Sequence, residues 1–328
     1  MDLFVISGVT GMTGNELARM IISSGHRVIG FDNFFASSID VIQDILHHPQ
    51  FTFFEYDLND ADQMDSLKSE VSMAQSDCER TIYVNCAAVV HTEYFYKVDF
   101  TFETNVVSMQ RFLDQAIDVH ADIFINCSTS EVYSMESYRD GGVRESDFVS
   151  LATVEHSQRT SYATGKLLTE FITKDAVDKG LIKACSIRFA NVYSKNERFA
   201  KHIIPHVIHS LSSVGAVTLL ENSKRTYRTF LHNIDSCSAV LHLINHECAL
   251  DGTVYNVGTD EEIHILDLVK LCAEEMGISN PPIYFEGSRA SDPERRLLNT
   301  EKIRKKTGWA PRISLREGIR MCIEEIEK

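Results

Sequence analysis

A short apolar run, Leu3–Ser7, leads directly into Gly8-Val9-Thr10-Gly11-Met12-Thr13-Gly14, and no feature of the chain restricts its fold more. A strand that ends in glycines and continues into a helix, here over about residues 14–24, is the opening unit of a βαβ sheet. Gly8 permits the tight turn, Gly11 lets the backbone approach a pyrophosphate, and Gly14 lets the helix pack closely on the strand. Met12 and Thr13 complete the candidate cofactor turn, with the helix N-terminus facing the anion. The spacing is GxxGxxG rather than GxGxxG, so an ordinary glycine-rich turn also satisfies it.

The rhythm set by that turn continues. Strand-like runs recur at residues 26–31, 51–56, 81–87, 123–128 and 184–188, with helical stretches at 39–47, 102–119 and 161–177. This alternation predicts an α/β, Rossmann-type doubly wound parallel sheet with right-handed crossovers. Beyond Asn191 the rhythm weakens: residues 203–211, 266–277 and 314–326 read as helices, and 217–220 and 282–284 as short strands. A smaller, partly interleaved C-terminal substrate domain is expected. Residues 1–190 would form the dinucleotide-binding domain, with 229–258 returning to it, and 191–228 and 259–328 the substrate domain. Leu266, Val269, Leu271 and Cys272 read as a core stripe, and the basic run 302–306 as a solvated helix face.

The formal net charge of -15 argues against nucleic acid and anionic membranes as partners. A phosphate-bearing ligand must then be held by local arginines and backbone N–H groups. No apolar run approaches the roughly 20 residues that span a bilayer. No basic leader precedes the first strand, which predicts neither a signal nor a transit peptide. Cys86, Cys127 and Cys185 lie in or beside apolar runs and read as free thiols in a reducing cytoplasm. His202 and His206 stand four apart without a spaced acidic third ligand, so no metal is expected.

Asp32 ends the second strand some 20 residues past the glycines. A carboxylate there accepts from ribose hydroxyls and repels a 2′-phosphate, which favours NAD over NADP; a turn aspartate beside Asn33 is the alternative. Asp57-Leu58 follows the third strand, where an adenine edge could rest. Tyr162 and Lys166 stand four residues apart on a predicted helix, so the phenol and the ammonium share one face. A nearby cation favours phenolate, which makes the pair a candidate base beside a hydride acceptor.

A series of ordered segments strengthens this reading. They are Asn85-Cys86-Ala87-Ala88, Thr104-Asn105-Val106, Ser128-Thr129-Ser130-Glu131-Val132-Tyr133, Tyr162-Ala163-Thr164-Gly165-Lys166 and Arg188-Phe189-Ala190-Asn191-Val192-Tyr193. Arg228-Thr229-Phe230-Leu231-His232, Tyr255-Asn256-Val257-Gly258 and Thr307-Gly308-Trp309-Ala310-Pro311 follow. In order and spacing the chain resembles an extended short-chain dehydrogenase/reductase of the NAD-dependent epimerase/dehydratase family, whose members modify nucleotide sugars.

The resemblance implies roles for individual residues. Tyr162 would take the proton from a sugar hydroxyl, usually at C4; Lys166 would tune it and hold the nicotinamide ribose; Thr129 would bind the same hydroxyl. Glu131 would act at C5 of the resulting 4-keto sugar, beside Ser130. Simple 4-epimerases of the family lack an acid at this position, whereas 4,6-dehydratases and glucuronate decarboxylases have one. Asn33, Ala87, Ala88 and Asn105 would join Gly8, Gly11, Met12, Thr13, Gly14, Asp32, Asp57 and Leu58 around NAD. Asn191, Arg228 and Arg296 would grip the diphosphate or sugar of a nucleoside-diphosphate sugar. A homodimer through the helices at 102–119 and 161–177 is also implied.

Local features divide the reaction. Asp32-Asn33-Phe34-Phe35 and His48-Pro49-Gln50-Phe51 resemble UDP-glucuronate decarboxylases, but the Ala-Cys-Pro-Ala-Ser-Pro stretch usual in those is absent, and His202-Ile203-Ile204-Pro205 is closer to dehydratases. The expectation leans to 4,6-dehydration, with UDP-glucuronate decarboxylation, 4-epimerisation and a non-catalytic NAD-binding sensor as alternatives. Ser134 and Ser194 replace glycines usual after the two Val-Tyr pairs, and Lys195-Asn196 replaces Pro-Gly, which suggests an unusual sugar.

Overall fold

The chain was analysed as a computed structural model that describes residues 1–133, 140–155, 160–195, 197, 202–288 and 292–326. Ser134 and Asn196 lie outside the described residues. The first half alternates except between β2 and β3, which no α-helix separates, and at the paired α3 and α4: β1 (Leu3–Ser7), α1 (Met12–Ser23), β2 (Arg27–Asp32), β3 (Phe51–Glu55), α2 (Ala61–Ala74), β4 (Thr81–Asn85), α3 (Val98–Phe102), α4 (Met109–Asp118), β5 (Ile123–Thr129), α5 (Thr160–Asp178) and β6 (Lys183–Phe189). Then come β7 (Asn191–Tyr193), α6 (Ile203–Val214), β8 (Val217–Leu219), β9 (Tyr227–His232), α7 (Asn233–Ile244), β10 (Asp251–Val257), β11 (Glu262–His264), α8 (Ile265–Glu275), β12 (Ile283–Phe285), α9 (Glu301–Thr307) and α10 (Leu315–Ile326).

Among the described residues, seven strands form one parallel sheet in the order β10-β6-β5-β4-β1-β2-β3. Every residue of β1 and β4 is buried, because helices cover both sheet faces. One face packs Leu17, Ile21 and Leu243 of α1 and α7 against Ile6, Val84 and Ile125. The other packs Leu67, Met109, Phe112 and Ala176 of α2, α4 and α5 against Val5, Tyr83 and Phe124. The strand order reverses between β1 and β4, so a crevice opens at their carboxyl ends, where such sheets bind ligands. A second apolar cluster joins α6, α8 and α10 through Val207, Leu268 and Ile319.

The structure departs from the sequence reading in instructive places. Residues 39–47 do not form an α-helix. Arg19 Nη2 takes the Val41 carbonyl at 2.5 Å, and Ile45 N donates instead to Ile42 O at 3.1 Å, which leaves a 3-10 turn over Ile39–Ile42. The expected helix at 102–119 is α3 and α4 joined by a π-helical turn, Glu103–Ser108. In the 229–258 segment, α7 packs on α1 and β10 joins the large sheet, whereas β9 pairs with β7 and β11 in a separate three-stranded sheet. On α8 the core stripe is Ile265, Leu268, Val269, Cys272 and Ala273, while Leu266 and Leu271 of the expected stripe are only partly buried against it. The basic run 302–306 is only partly solvated: Lys302 Nζ donates to Val254 O at 2.7 Å and sits 4.6 Å from the centre of the Tyr255 ring.

Candidate active site

Gly8 follows β1 at φ +68°, and a Cβ there would lie 2.8 Å from both Cα and N of Ala87, the second residue of the loop after β4. A Cβ on Gly14 would stand 2.3 Å from the Gly8 carbonyl oxygen. The glycines therefore allow the turn, the loop after β4 and the start of α1 to close on one another. Gly11 caps α1 without a side-chain bond, and the first turn holds no carboxylate, so its N–H groups and positive dipole end are unclaimed by any capping side chain. Met12 and Thr13 are braced from behind, by Asn233 Nδ2 donating to Met12 O at 2.7 Å and by the Cys237 thiol on Thr13 O.

Asp32 sits at the crevice rim. Its Oδ2 accepts from Thr10 N at 3.1 Å and its Oδ1 from Phe34 N at 2.9 Å. An ionised carboxylate has about four acceptor sites, so two bonds leave capacity for ribose hydroxyls. Asn33 Nδ2 donates to Asp57 Oδ2 at 3.0 Å, tying the ends of β2 and β3, and Leu58 is buried beneath them. Asn105, in the π-helical turn, uses both ends of its amide on Val89: Oδ1 accepts from N at 2.7 Å and Nδ2 donates to O at 3.1 Å. It therefore shapes the loop that carries Ala87 and Ala88.

Tyr162 and Lys166 lie one turn apart on α5, only 6% and 2% exposed. Lys166 Nζ donates to the Cys127 carbonyl at 2.7 Å, which fixes the ammonium under the end of β5. Burial lowers its pKa, opposed by Cys127, Cys86 and Glu170. The Tyr162 ring stacks flat on Phe95, with centroids 4.4 Å apart and planes within 7°. Phe95 had no signal in the sequence beyond an aromatic in a loop. Thr129 ends β5 and its Oγ1 accepts from Glu131 N at 3.2 Å; Ser130 between them is buried. The turn bearing Ser130 and Glu131 packs against α5.

Arg296 Nη1 donates to Glu131 Oε1 at 2.6 Å. Its side chain is 6% exposed, and its Nε is buried with no hydrogen-bond partner among the described residues. Arg228 lies in the same field. Burial lowers its pKa, Arg296 adds to that, and Asp292 and Glu131 oppose it. Its Nη2 meets Asp292 Oδ1 at 2.9 Å. Asn191 Nδ2 reaches Thr229 O at 3.4 Å, beside these groups in the three-stranded sheet. Two buried guanidiniums, each paired with a carboxylate (Arg296 with Glu131, Arg228 with Asp292), line this part of the site.

A polar network underlies the site. Arg188 forks Glu170 at 2.9 and 2.6 Å and donates to Tyr133 Oη at 2.8 Å; Tyr133 donates to Asn256 Oδ1 at 2.8 Å, and Ser128 to Glu170 at 2.6 Å. It joins β5, α5, β6 and β10, and each charge in it is paired, as burial requires.

A family model, "NAD dependent epimerase/dehydratase family", matches residues 4–258. The chain belongs to that family. A low-salt glycan biosynthesis protein of Haloferax volcanii is 27% identical over 99% of this chain and 98% of its own length. UDP-glucuronic acid decarboxylase 1 of Arabidopsis thaliana is 24% identical over 98% of this chain and 69% of its own length. A dTDP-glucose 4,6-dehydratase of Streptomyces venezuelae, solved with NAD and TYD bound, has a TM-score of 0.83 at 19% identity, covering 100% of this chain and 97% of that one. A UDP-glucose 4-epimerase of Thermotoga maritima, solved with UDP-glucose, has a TM-score of 0.84 at 20% identity, covering 100% and 99%.

As in other members of this epimerase/dehydratase family, the cofactor is NAD. The residues fit it: the glycine cradle at Gly8 and Gly14, the unclaimed start of α1 and the spare acceptors of Asp32 suit a pyrophosphate and its ribose. Among the described residues no group of three or more His, Cys, Asp or Glu could hold a metal, and no helix is long and apolar enough to cross a membrane.

Proposed function

We propose that the protein converts a nucleoside-diphosphate hexose by 4,6-dehydration. The observation that carries this reading is the Glu131 carboxylate, held by Arg296 and Thr129 on a turn that packs against the helix of Tyr162 and Lys166. Bound NAD supplies a hydride acceptor. Tyr162 removes the C4 hydroxyl proton while Thr129 orients that hydroxyl, and the Lys166 ammonium favours the phenolate. The ketone at C4 acidifies the C5 proton, which Glu131 removes and passes to the departing C6 hydroxyl so that it leaves as water; the hydride taken from C4 would then return to C6 and a proton to C5, giving the 4-keto-6-deoxy sugar. Arg228, Arg296 and Asn191 hold the diphosphate and sugar; the Nε of Arg296, without a hydrogen-bond partner among the described residues, leaves a donor for this. Residues 1–190 and 229–258 would carry the cofactor, and 191–228 and 259–328 the sugar.

UDP-glucuronate decarboxylation is a second reading. Two buried arginines beside Glu131 favour it, because a C6 carboxylate needs a cation besides those that meet the diphosphate. Incubation with a panel of nucleotide sugars separates the cases: loss of water supports dehydration, loss of carbon dioxide from UDP-glucuronate supports decarboxylation, and an unchanged mass with inverted C4 means epimerisation. No product from any of them sinks the enzymatic reading and revives a sensor.

A cytoplasmic homodimer belongs to the same proposal. Leu168 and Phe171 lie 43% and 66% exposed on one side of α5, and Val98 and Phe102 of the contacting α3 are both 49% exposed. A second copy presenting the same helices would cover this apolar stripe.

A further inference from the structure

Two thiols face each other beneath the lysine. β4 and β5 pair with Ile82 opposite Ile123 and Asn85 opposite Asn126, so the next rung sets Cys86 opposite Cys127. Their sulfurs stand 3.9 Å apart, and both residues are half-buried and free. Neighbouring strands run about 4.8 Å apart. That spacing falls within the roughly 4.4–6.8 Å between Cα atoms that a disulfide tolerates. Each cysteine also touches the machinery through its backbone. Cys127 O accepts the Lys166 ammonium at 2.7 Å. Cys86 immediately precedes Ala87, whose N donates to Ser7 Oγ at 3.2 Å and whose Cα closes on Gly8.

We propose that Cys86 and Cys127 are a reversible oxidation site, and that the disulfide between them weakens NAD binding. With a hydroperoxide as oxidant, the Cys127 thiolate attacks one peroxide oxygen. The O–O bond breaks, a sulfenic acid forms and hydroxide leaves to take a proton. The Cys86 sulfur then attacks the sulfenic sulfur, the S–O bond breaks, and the oxygen departs as water with the Cys86 proton. Two thiols lose two electrons and hydrogen peroxide becomes two waters; a dithiol reverses the change. Cys127 is the better nucleophile of the two, because the hydrogen bond from Cys86 and the Lys166 charge lower its pKa against burial, whereas Cys86 is raised. Because the strands already stand at a spacing a disulfide tolerates, closing the gap to the roughly 2.05 Å of an S–S bond is met by rotation of both side chains and of the peptide units that carry them. That moves the carbonyl holding Lys166 and the Ala87 contact with the glycine turn.

The test treats the full chain with graded hydrogen peroxide, maps peptides without reduction and measures NAD affinity by calorimetry. The expected result is a Cys86–Cys127 linked peptide, a NAD dissociation constant raised tenfold or more, and recovery with dithiothreitol. Cys86→Ser and Cys127→Ser should each keep their own NAD affinity through the same treatment. Pairing through other cysteines, sulfinic acid without a cross-link, or a linked peptide with unchanged NAD affinity overturns the proposal. NAD affinity is independent of the sugar chemistry, so this test and the nucleotide-sugar panel fail separately.

Discussion

Replacing Glu131 with glutamine isolates the step that divides the candidate reactions. Glutamine keeps a carbonyl oxygen for Arg296 Nη1 but removes the charge. Hydrogen bonds to charged groups contribute about 1.5–3 kcal/mol and neutral ones about 0.5–1.5, so the fold loses about 1 kcal/mol. In a chain of this length that is a fall in Tm of about 1–2 °C, so the variant stays folded. Catalysis suffers far more. General-base assistance contributes about 10²–10⁴-fold, or roughly 3–5 kcal/mol of barrier, and all of it is lost at C5. Proton removal at C4 depends on Tyr162 and persists. Quenched reactions analysed by mass spectrometry should therefore show the 4-keto sugar with C6 still hydroxylated, while the dehydrated product falls at least a hundredfold. A variant that dehydrates at the unmodified rate would refute the reasoning and leave Glu131 as a strut for Arg296.

Four further outcomes follow from the geometry. Tyr162→Phe should keep the stack on Phe95 and the thermal midpoint, yet lower turnover by about 10²–10⁴, read from product formation at saturating substrate. Gly14→Ala places a methyl against the Gly8 carbonyl, which is backbone and cannot rotate away; a strain of about 1–3 kcal/mol should weaken NAD tenfold or more by calorimetry. Phe171→Glu should convert a dimer to a monomer in sedimentation without loss of fold. His232 caps α7, with Nδ1 accepting from Ile234 N at 3.3 Å and a buried Nε2 that has no hydrogen-bond partner among the described residues. Burial, joined by Lys195 and opposed by Asp235, lowers its pKa below 6.5. The unfolded chain then binds this proton first, so stability is full above about pH 6.5 and falls as the pH drops below it. His232→Asn, which retains a capping oxygen, should flatten that slope in thermal melts.

The parallel sheet was legible because its strands are buried on both faces and read as continuous apolar runs; Leu3–Ser7 ends where the glycines begin. Tyr162, Lys166 and Glu131 could be found because their chemistry lies in short local spacings. Contacts between distant segments could not. α2 buries only Leu67, Val71 and Ala74 along 14 residues, too thin a stripe to stand out. The partner of Glu131 is 165 residues away, and nothing local announced that Arg296 would be held by it. Phe95 and Asn233 carry no motif at all; their roles exist only once α5 and α1 have packed.

The network beneath the site has a consequence for how activity begins. Tyr133, Glu170 and Arg188 come from the first part of the chain, but Asn256, which takes the Tyr133 hydroxyl, lies on β10, which enters the sheet only after β7 to α7 have been made. A ribosome that has released α5 and β6 holds every reacting side chain on that helix and none of the amide that seats their support. Domains form from the N-terminus as synthesis proceeds, so this arrangement keeps the half-made chain idle. Competence waits for the last strand of the sheet and for Arg296 beyond it.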